Sequence, residues 1–250
     1  MKKSVLYTLI VVLVALFVVP LISGCVVVNY AGYGAVGGEG DMEDHEFEVG
    51  EYSKIRIEGF FEIHYYADVS NTVTLKTYSN LLENYEIEVK DSELRVRTTK
   101  GISFLNTGTA PVLTVSAPTL EKLSIAGASR FITHDTINAD VFELIMSGAG
   151  ECRVEVDVNR LTAAMSGAGS LRISGAAETA ELDMSGAGEV NAFELETKDA
   201  RVSLAGVGSV KISCSDNLRV NASGVGSVEY KGDPAIDLIQ GGLASVRKIN

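Results

Sequence analysis

Ser147-Gly148-Ala149-Gly150 returns unchanged as Ser166-Gly167-Ala168-Gly169 and as Ser185-Gly186-Ala187-Gly188. Looser copies are Ala126-Gly127-Ala128-Ser129, Ala205-Gly206-Val207-Gly208, Ser223-Gly224-Val225-Gly226 and Gly241-Gly242-Leu243-Ala244. The second residue of each copy falls at 127, 148, 167, 186, 206, 224 and 242, so the intervals run 21, 19, 19, 20, 18 and 18. A period this regular marks a repeat architecture, and it decides the fold.

The flanks of the motif identify the repeating unit. Six residues before its last position stand Leu123, Leu144, Ala163, Leu182, Val202, Val220 and Leu238, and four before stand Ile125, Met146, Met165, Met184, Leu204, Ala222 and Gln240. Two residues after it come Phe131, Cys152, Leu171, Val190, Val210, Val228 and Val246. The positions between are polar, from Lys122, Glu143 and Thr162 on one side to Arg130, Glu151 and Ser170 on the other. Apolar and polar residues thus alternate with period two, so each Gly motif is a corner between two short strands. One such unit cannot bury its own apolar face, but a stack of them can. The expectation is an all-β, single-stranded β-helix (a β-solenoid) of about seven Gly-motif rungs, spaced about 4.8 Å apart. The Gly residues supply positive φ or close packing from rung to rung, with Ala between them keeping the corner thin. The competing arrangement, a β-sandwich, does not ordinarily place identical tetrapeptides at so even a spacing.

Outside the repeats, the chain of 250 residues begins with Lys2 and Lys3, an uncharged run from Val5 to Ile22, and then Leu21-Ile22-Ser23-Gly24-Cys25. This is the pattern of an export signal, and its ending resembles a bacterial lipobox, which makes residues 1–25 a lipoprotein signal peptide and Cys25 the lipidated residue. An uncleaved membrane anchor is the alternative, because the apolar run approaches the roughly 20 residues that span a bilayer. Val26 is not an acid, which permits delivery to an outer membrane in a cell that has one. Residues 26–45, with Gly32, Gly34, Gly37, Gly38 and Gly40, read as a flexible tether. Asp41, Glu43, Asp44, Glu46 and Glu48 read as its solvated acidic end rather than as a divalent-ion site. The remainder, 46–250, divides into an N-terminal β segment (46–118), expected to form the wider first rungs or a cap, and the repeat rungs (119–250).

The N-terminal segment alternates over 54–57, 61–65, 73–77, 86–90 and 94–98, with a turn at Asp91-Ser92-Glu93, a helical turn at Asn80 to Asn84 and a long loop at 99–110. Its stretches Tyr52-Ser53-Lys54-Ile55-Arg56-Ile57, Phe60-Phe61-Glu62-Ile63-His64-Tyr65 and Val115-Ser116-Ala117-Pro118-Thr119-Leu120, taken with the Gly motifs, resemble the GIN domain, the head domain of auto-transporter adhesins. The resemblance covers about residues 46–248. It implies a right-handed β-helix on an envelope lipoprotein and an adhesive role, and it brings no defined catalytic or ligand residues. The last motif departs from the pattern: it lacks the closing Gly, and Asp233-Pro234 interrupts just before it, as suits a terminal rung.

Chemistry-bearing patterns are scarce. The formal net charge is −12, and removing residues 1–25 takes away two Lys and no acid, so nucleic acid is an unsuitable partner. His45, His64 and His134 are widely separated in the chain and fit no metal pattern, so no metal or other cofactor is expected. Ser147, Ser166 and Ser185 have no His or Asp at a recurring offset, as a hydrolase nucleophile would need. Cys152 and Cys214 sit three rungs apart, about 14 Å, beyond the ~7 Å reach of a disulfide, and both have inward parity. They are expected to be buried free thiols.

One outward column, Arg153, Arg172, Asn191, Lys211, Glu229 and Arg247, is partly basic. Its cations Arg153, Arg172, Lys211 and Arg247 are the candidate ligand-binding residues, with an anionic glycan as the ligand. Charge pairing across rungs is the simpler account of the same column. The chain reads as a non-enzymatic, lipid-anchored binding or structural module at the cell envelope. A carbohydrate-active β-helix enzyme and an envelope scaffold or sensor that binds another envelope protein are the alternatives.

Overall fold

The computed structural model describes residues 37–99 and 109–250. The expected signal peptide (1–25), Cys25 and most of the expected 99–110 loop lie outside the described residues. Within them the fold is a β-solenoid in which the rungs of one long sheet pair in parallel.

The coils are built from β8 (Lys122–Thr133), β9 (Ile137–Met146), β10 (Ala149–Met165), β11 (Ala168–Met184), β12 (Ala187–Leu204), β13 (Val207–Ala222), β14 (Val225–Lys231), β15 (Ala235–Gln240) and β16 (Leu243–Lys248). Every column read from the sequence is a ladder of paired residues. Leu123, Leu144, Ala163, Leu182, Val202, Val220 and Leu238 succeed one another rung by rung. So do Phe131, Cys152, Leu171, Val190, Val210, Val228 and Val246. The inward ladders form one continuous core. Strand and corner differ from the two-strand unit expected: β10, β11, β12 and β13 each run 16 to 18 residues and are interrupted only at the Gly motif. The second bend of each coil needs no turn because neighbouring rungs bend together and their ladder bonds continue through it. Coils of unequal length are reconciled there by bulges, as where Phe193 is skipped between the pairs Arg172–Asn191 and Ser174–Glu194.

At the motif the rungs touch backbone to backbone. A Cβ on Gly167 would lie 1.7 Å from the carbonyl oxygen of Gly148, which no rearrangement of side chains relieves. Gly150, at the motif's last position, has φ +143 and would place a Cβ 2.0 Å from the oxygen of Ser129. Gly is therefore required twice per corner, once for close approach and once for backbone conformation as well. The residue between them points out to solvent, which corrects the idea that Ala is there to keep the corner thin. Ala128, Ala149, Ala168 and Ala187 give way to Val207, Val225 and Leu243, which are exposed.

The stack begins earlier than the repeats indicate. β2 (Lys54–Gly59) and β3 (Glu62–Tyr66) form a further coil on top of β8, with Gly59 paired to Gly127 and Ile63 to Phe131. Where the first motif carries Ser129 instead of Gly, its hydroxyl donates to Gly59 O (3.2 Å) and accepts from Phe61 N (3.3 Å), fastening the two coils together. Above this coil, β6 (Glu93–Thr98) pairs with β2 and β7 (Val112–Ser116) with β3, both in parallel.

The pairing then changes sense. β5 (Tyr85–Lys90) runs antiparallel to β6 through a two-residue turn in which Asp91 and Ser92 have φ of 54 and 57, the left-handed pair of a tight hairpin. β4 (Thr72–Tyr78) runs antiparallel to β7, and a 3-10 helix at Ser79–Asn84 leads from β4 to β5. β1 (Met42–Glu48) pairs antiparallel with β4 along its whole length. The acidic residues from Glu43 to Glu48 are thus in a strand and not in a linker, and β1 begins inside the stretch 26–45 expected as tether. Buried Tyr52 and Tyr65 anchor this end, donating to the carbonyl oxygens of Ser116 (2.7 Å) and Ala117 (2.9 Å).

Candidate functional site

The basic column assembles as the sequence indicates. Arg153, Arg172, Asn191, Lys211, Glu229 and Arg247 are successive paired residues on the outer face. The neighbouring column on that face, Arg130, Glu151, Ser170, Glu189, Ser209 and Ser227, supplies acids that neutralise it. Arg153 Nε is 2.6 Å from Glu151 Oε1, whose other oxygen lies 3.5 Å from Arg130. Lys211 Nζ reaches Glu189 at 2.6 Å, and Arg247 is paired with Glu229 below it. Arg172 has no ion pair among the described residues. The ladder is a set of intramolecular pairs in each of which at least one side chain is well exposed, so water screens them and each contributes little to stability. A polyanion laid along it would have to compete with those carboxylates for every cation but one. The other candidate site, the lipid attachment at Cys25, lies outside the described residues.

Two open grooves run along the other faces. One of about 620 Å³ is lined by Asp157, Asn159, Glu178, Lys198 and Lys231 among others, and one of about 530 Å³ by Arg160, Glu181, Asp199, Arg201 and Arg219 among others. Several of their charged groups are paired within the chain, and Lys231 lies over the Phe193 ring at 4.5 Å. Lys198 bonds Glu178 at 2.7 Å, Arg201 lies 3.4 Å from Glu181, and Asn217 donates to Asp199 at 2.6 Å. The first groove also carries Ser215, whose hydroxyl donates to Asp216 Oδ1 at 2.6 Å, with no His in the lining of either groove. Among the described residues no group of three His, Cys, Asp or Glu converges to hold a metal ion.

Cys152 and Cys214 are both buried and both free, as their register requires. Burial pushes the Cys152 thiol far above its usual range, with Glu151 adding to the shift, and burial also raises Cys214. Neither forms a ready thiolate, so both act as small apolar residues. Ser147 Oγ is 3.4 Å from Ile125 O, a bond between rungs and not a step toward a catalytic triad.

The His residues are the feature missed by the sequence reading. His64 and His134 are 70 residues apart in the chain, yet His64 Nδ1 lies 2.8 Å from His134 Nε2. One ring donates and the other accepts, which requires that at least one be neutral. Tyr66 stacks on His134 with ring centroids 4.6 Å apart, and Glu62 Oε1 lies 3.8 Å from His64 Nε2. Asp135 accepts a hydrogen bond from Ala67 N at 3.1 Å on the adjoining loop. The signal that could have revealed the pair is Gly59. Once it is aligned with Gly127, His64 falls beside Ile132 and two residues from His134 on the same face.

Known proteins share this architecture. A solved structure described as a "putative adhesin" from Bacteroides fragilis is 22% identical, covers 86% of this chain and 100% of its own, and superposes with a TM-score of 0.78. A "putative adhesin" from Parabacteroides merdae is 21% identical over 86% of this chain and 99% of its own, with a TM-score of 0.69. A "putative lipid binding protein" from Parabacteroides distasonis is 18% identical over the same shares, with a TM-score of 0.61. At these identities they share the fold. No curated protein matches the chain. The family model described as "Putative auto-transporter adhesin, head GIN domain" matches residues 51–234, and the chain belongs to that GIN-domain family.

Proposed function

We propose that this chain is a lipid-anchored, exported adhesin-like module of the cell envelope, tethered through Cys25 and acting by binding rather than catalysis. The observation that carries this reading is the way the solenoid spends its charges. Along its outer faces acids and bases satisfy one another from rung to rung, and none converges on a point where a substrate could be activated. Catalysis on a polymer needs a base and charge-neutralising groups aimed at one bond. A stiff rod with a defined end instead supports presentation, in which many copies on one membrane turn weak contacts into firm attachment. The family and the adhesin descriptions of the similar structures point the same way. Among the described residues no helix is long and apolar enough to cross a membrane.

Crosslinking on intact cells, with identification of what is caught, tests the reading. A partner on a neighbouring cell or surface is the expected result. Turnover of an acidic polysaccharide that is abolished by Arg153→Ala or Arg172→Ala would replace binding with catalysis. Cys25→Ala is expected to abolish lipid labelling, and unchanged labelling would remove the lipid anchor from the account.

A further inference from the structure

We infer that His64 and His134 form a two-imidazole site that takes a divalent transition-metal ion, copper(II) by its geometry, with water in the remaining positions. The site lies on the outer face of the first coils and is independent of the adhesin reading.

Three observations carry it. The first is spacing. His64 Nδ1 and His134 Nε2 stand 2.8 Å apart. Two imidazole nitrogens bound at about 2.0 Å to one ion and at a right angle to each other are about 2.8 Å apart, whereas the tetrahedral angle of zinc needs about 3.3 Å. The pair therefore has the separation of neighbouring ligands in a tetragonal field, the geometry of copper(II) and nickel(II), and copper(II) is the more tightly bound of these. Two protein nitrogens serve such an ion because water completes its coordination, so the absence of a convergent group of three among the described residues does not count against it.

The second is the tautomer. Glu62 Oε1 lies 3.8 Å from Nε2 of His64, the nitrogen that faces away from His134. A carboxylate on that side favours the proton on Nε2 and leaves the Nδ1 lone pair for a metal, as in the carboxylate–histidine pairs of metal sites. The proton between the two rings is then that of His134 Nε2. When the ion enters, this proton passes to Nδ1 of the same ring, both lone pairs turn to the metal, and both imidazoles stay neutral.

The third is that the pair is built on rigid backbone. His64 is in β3 between Ile63 and Tyr65, both fully buried. His134 N donates to Tyr65 O at 2.9 Å, which ties the residue after β8 to β3. The Tyr66 ring lies nearly parallel to His134, at 9° and 4.6 Å, and fixes its face. On the next residue Asp135 is held by Ala67 N. The two ligands thus come from different coils, 70 residues apart in the chain, and are positioned before any ion arrives. His134 is exposed and His64 half-buried, so solvent reaches the open side. Glu62, Asp68 and Asp135 are the acids of these strands and loops, on a chain of net charge −12, which favours a cation. Arg130, paired in register with Glu62, lies 3.5 Å from Glu151.

The test is titration of the full chain in detergent micelles with copper(II) chloride near neutral pH, read by calorimetry and electron paramagnetic resonance. Cys25→Ala is the background throughout, so that its thiol does not compete for the ion. The expected result is saturable binding of a single ion with a tetragonal spectrum split by two imidazole nitrogens. His64→Gln and His134→Gln should each weaken binding by at least about tenfold and remove the two-nitrogen pattern, with unchanged circular dichroism. His45→Gln should alter neither readout, because the Nε2 of His45 is buried away from solvent. Should one of the paired His variants lose its β spectrum, the other decides, and the nitrogen count of the chain with both His in place needs no variant. Absence of saturation up to about 100 µM would leave a hydrogen-bonded His pair only and overturn the site. A spectrum with one nitrogen or none, or binding indifferent to both variants, would overturn it equally.

Discussion

The two ends of this solenoid solve the same problem in opposite ways. Any stack of parallel rungs leaves an unpaired edge and an uncovered core at each end. At the N-terminal end the chain turns antiparallel through β4, β5 and β1, buries Tyr52 and Tyr65, and finishes on a strand crowded with acids. At the C-terminal end β15 is exposed at every residue, Leu238 of the inward ladder among them, while Ala244 in β16 stays buried. Neither end owes its character to the repeat, whose columns run through both. The difference lies in the chain outside the stack: β1, β4 and β5 supply antiparallel strands at the first coil, and among the described residues no strand of this kind covers the last. Among the described residues the first coil is covered by antiparallel strands and the last is not.

That contrast can be broken most forcefully at the Gly corner. Gly148→Ala places its Cβ 1.7 Å from Gly127 O in mid-stack and is expected to prevent folding, whereas Gly241→Ala meets nothing within 4 Å and should leave the melting temperature nearly unchanged. Next comes the shared ladder. Leu144→Ala, fully buried, should cost about 2–5 kcal/mol, and Leu238→Ala in the same column should cost well under half as much; denaturant titration of both reads the ratio. Equal losses would mean that the C-terminal end is covered in solution.

The cap has a pH signature of its own. Burial, with the Asp135 charge adding to it, pushes Tyr65 up to about 12, and burial together with Tyr65 raises Tyr52 further. Unfolded tyrosines ionise near about 10. Below that pH both states are protonated and the buried phenols keep their full contribution. Above it the unfolded state loses its protons first, so stability should fall between pH 10 and 12. Absorbance of tyrosinate alongside circular dichroism checks this, and Tyr65→Phe should flatten the fall. The smallest effect expected is that of Arg153→Ala, within about 0.5 kcal/mol, because its own side chain is open to water and its partner Glu151 is only partly buried.

The sequence was most legible where it repeats. Seven copies of one corner align each inward ladder and the charged columns beside them without ambiguity, down to the free Cys152 and Cys214. The β turn at Asp91-Ser92 and the helical turn after Ser79 were legible from local residue chemistry. What escaped was set by contacts without a repeat. Gly59 precedes Phe60-Phe61 rather than Ala and Gly, so its place in the Gly column, and the His64–His134 pair that depends on it, shows only once the strands are paired. β1 reads as a solvated linker because its acids outnumber its apolar residues. It is a strand because β4 offers an edge along all seven of its residues. The candidate ligand-binding cations were found in the right column, but their neutralisation depends on which acids stand in the next one.

The asymmetry itself is most directly tested by amide hydrogen exchange of the full chain, resolved by segment. The amides of β4, β7 and the central coils β10 to β12 should exchange only through global unfolding, while those of β15 and β16 on the open edge exchange quickly. Protection of the last coil equal to that of β11, or rapid exchange across β4 and β7, would contradict a solenoid closed at its N-terminal end and open at its tip.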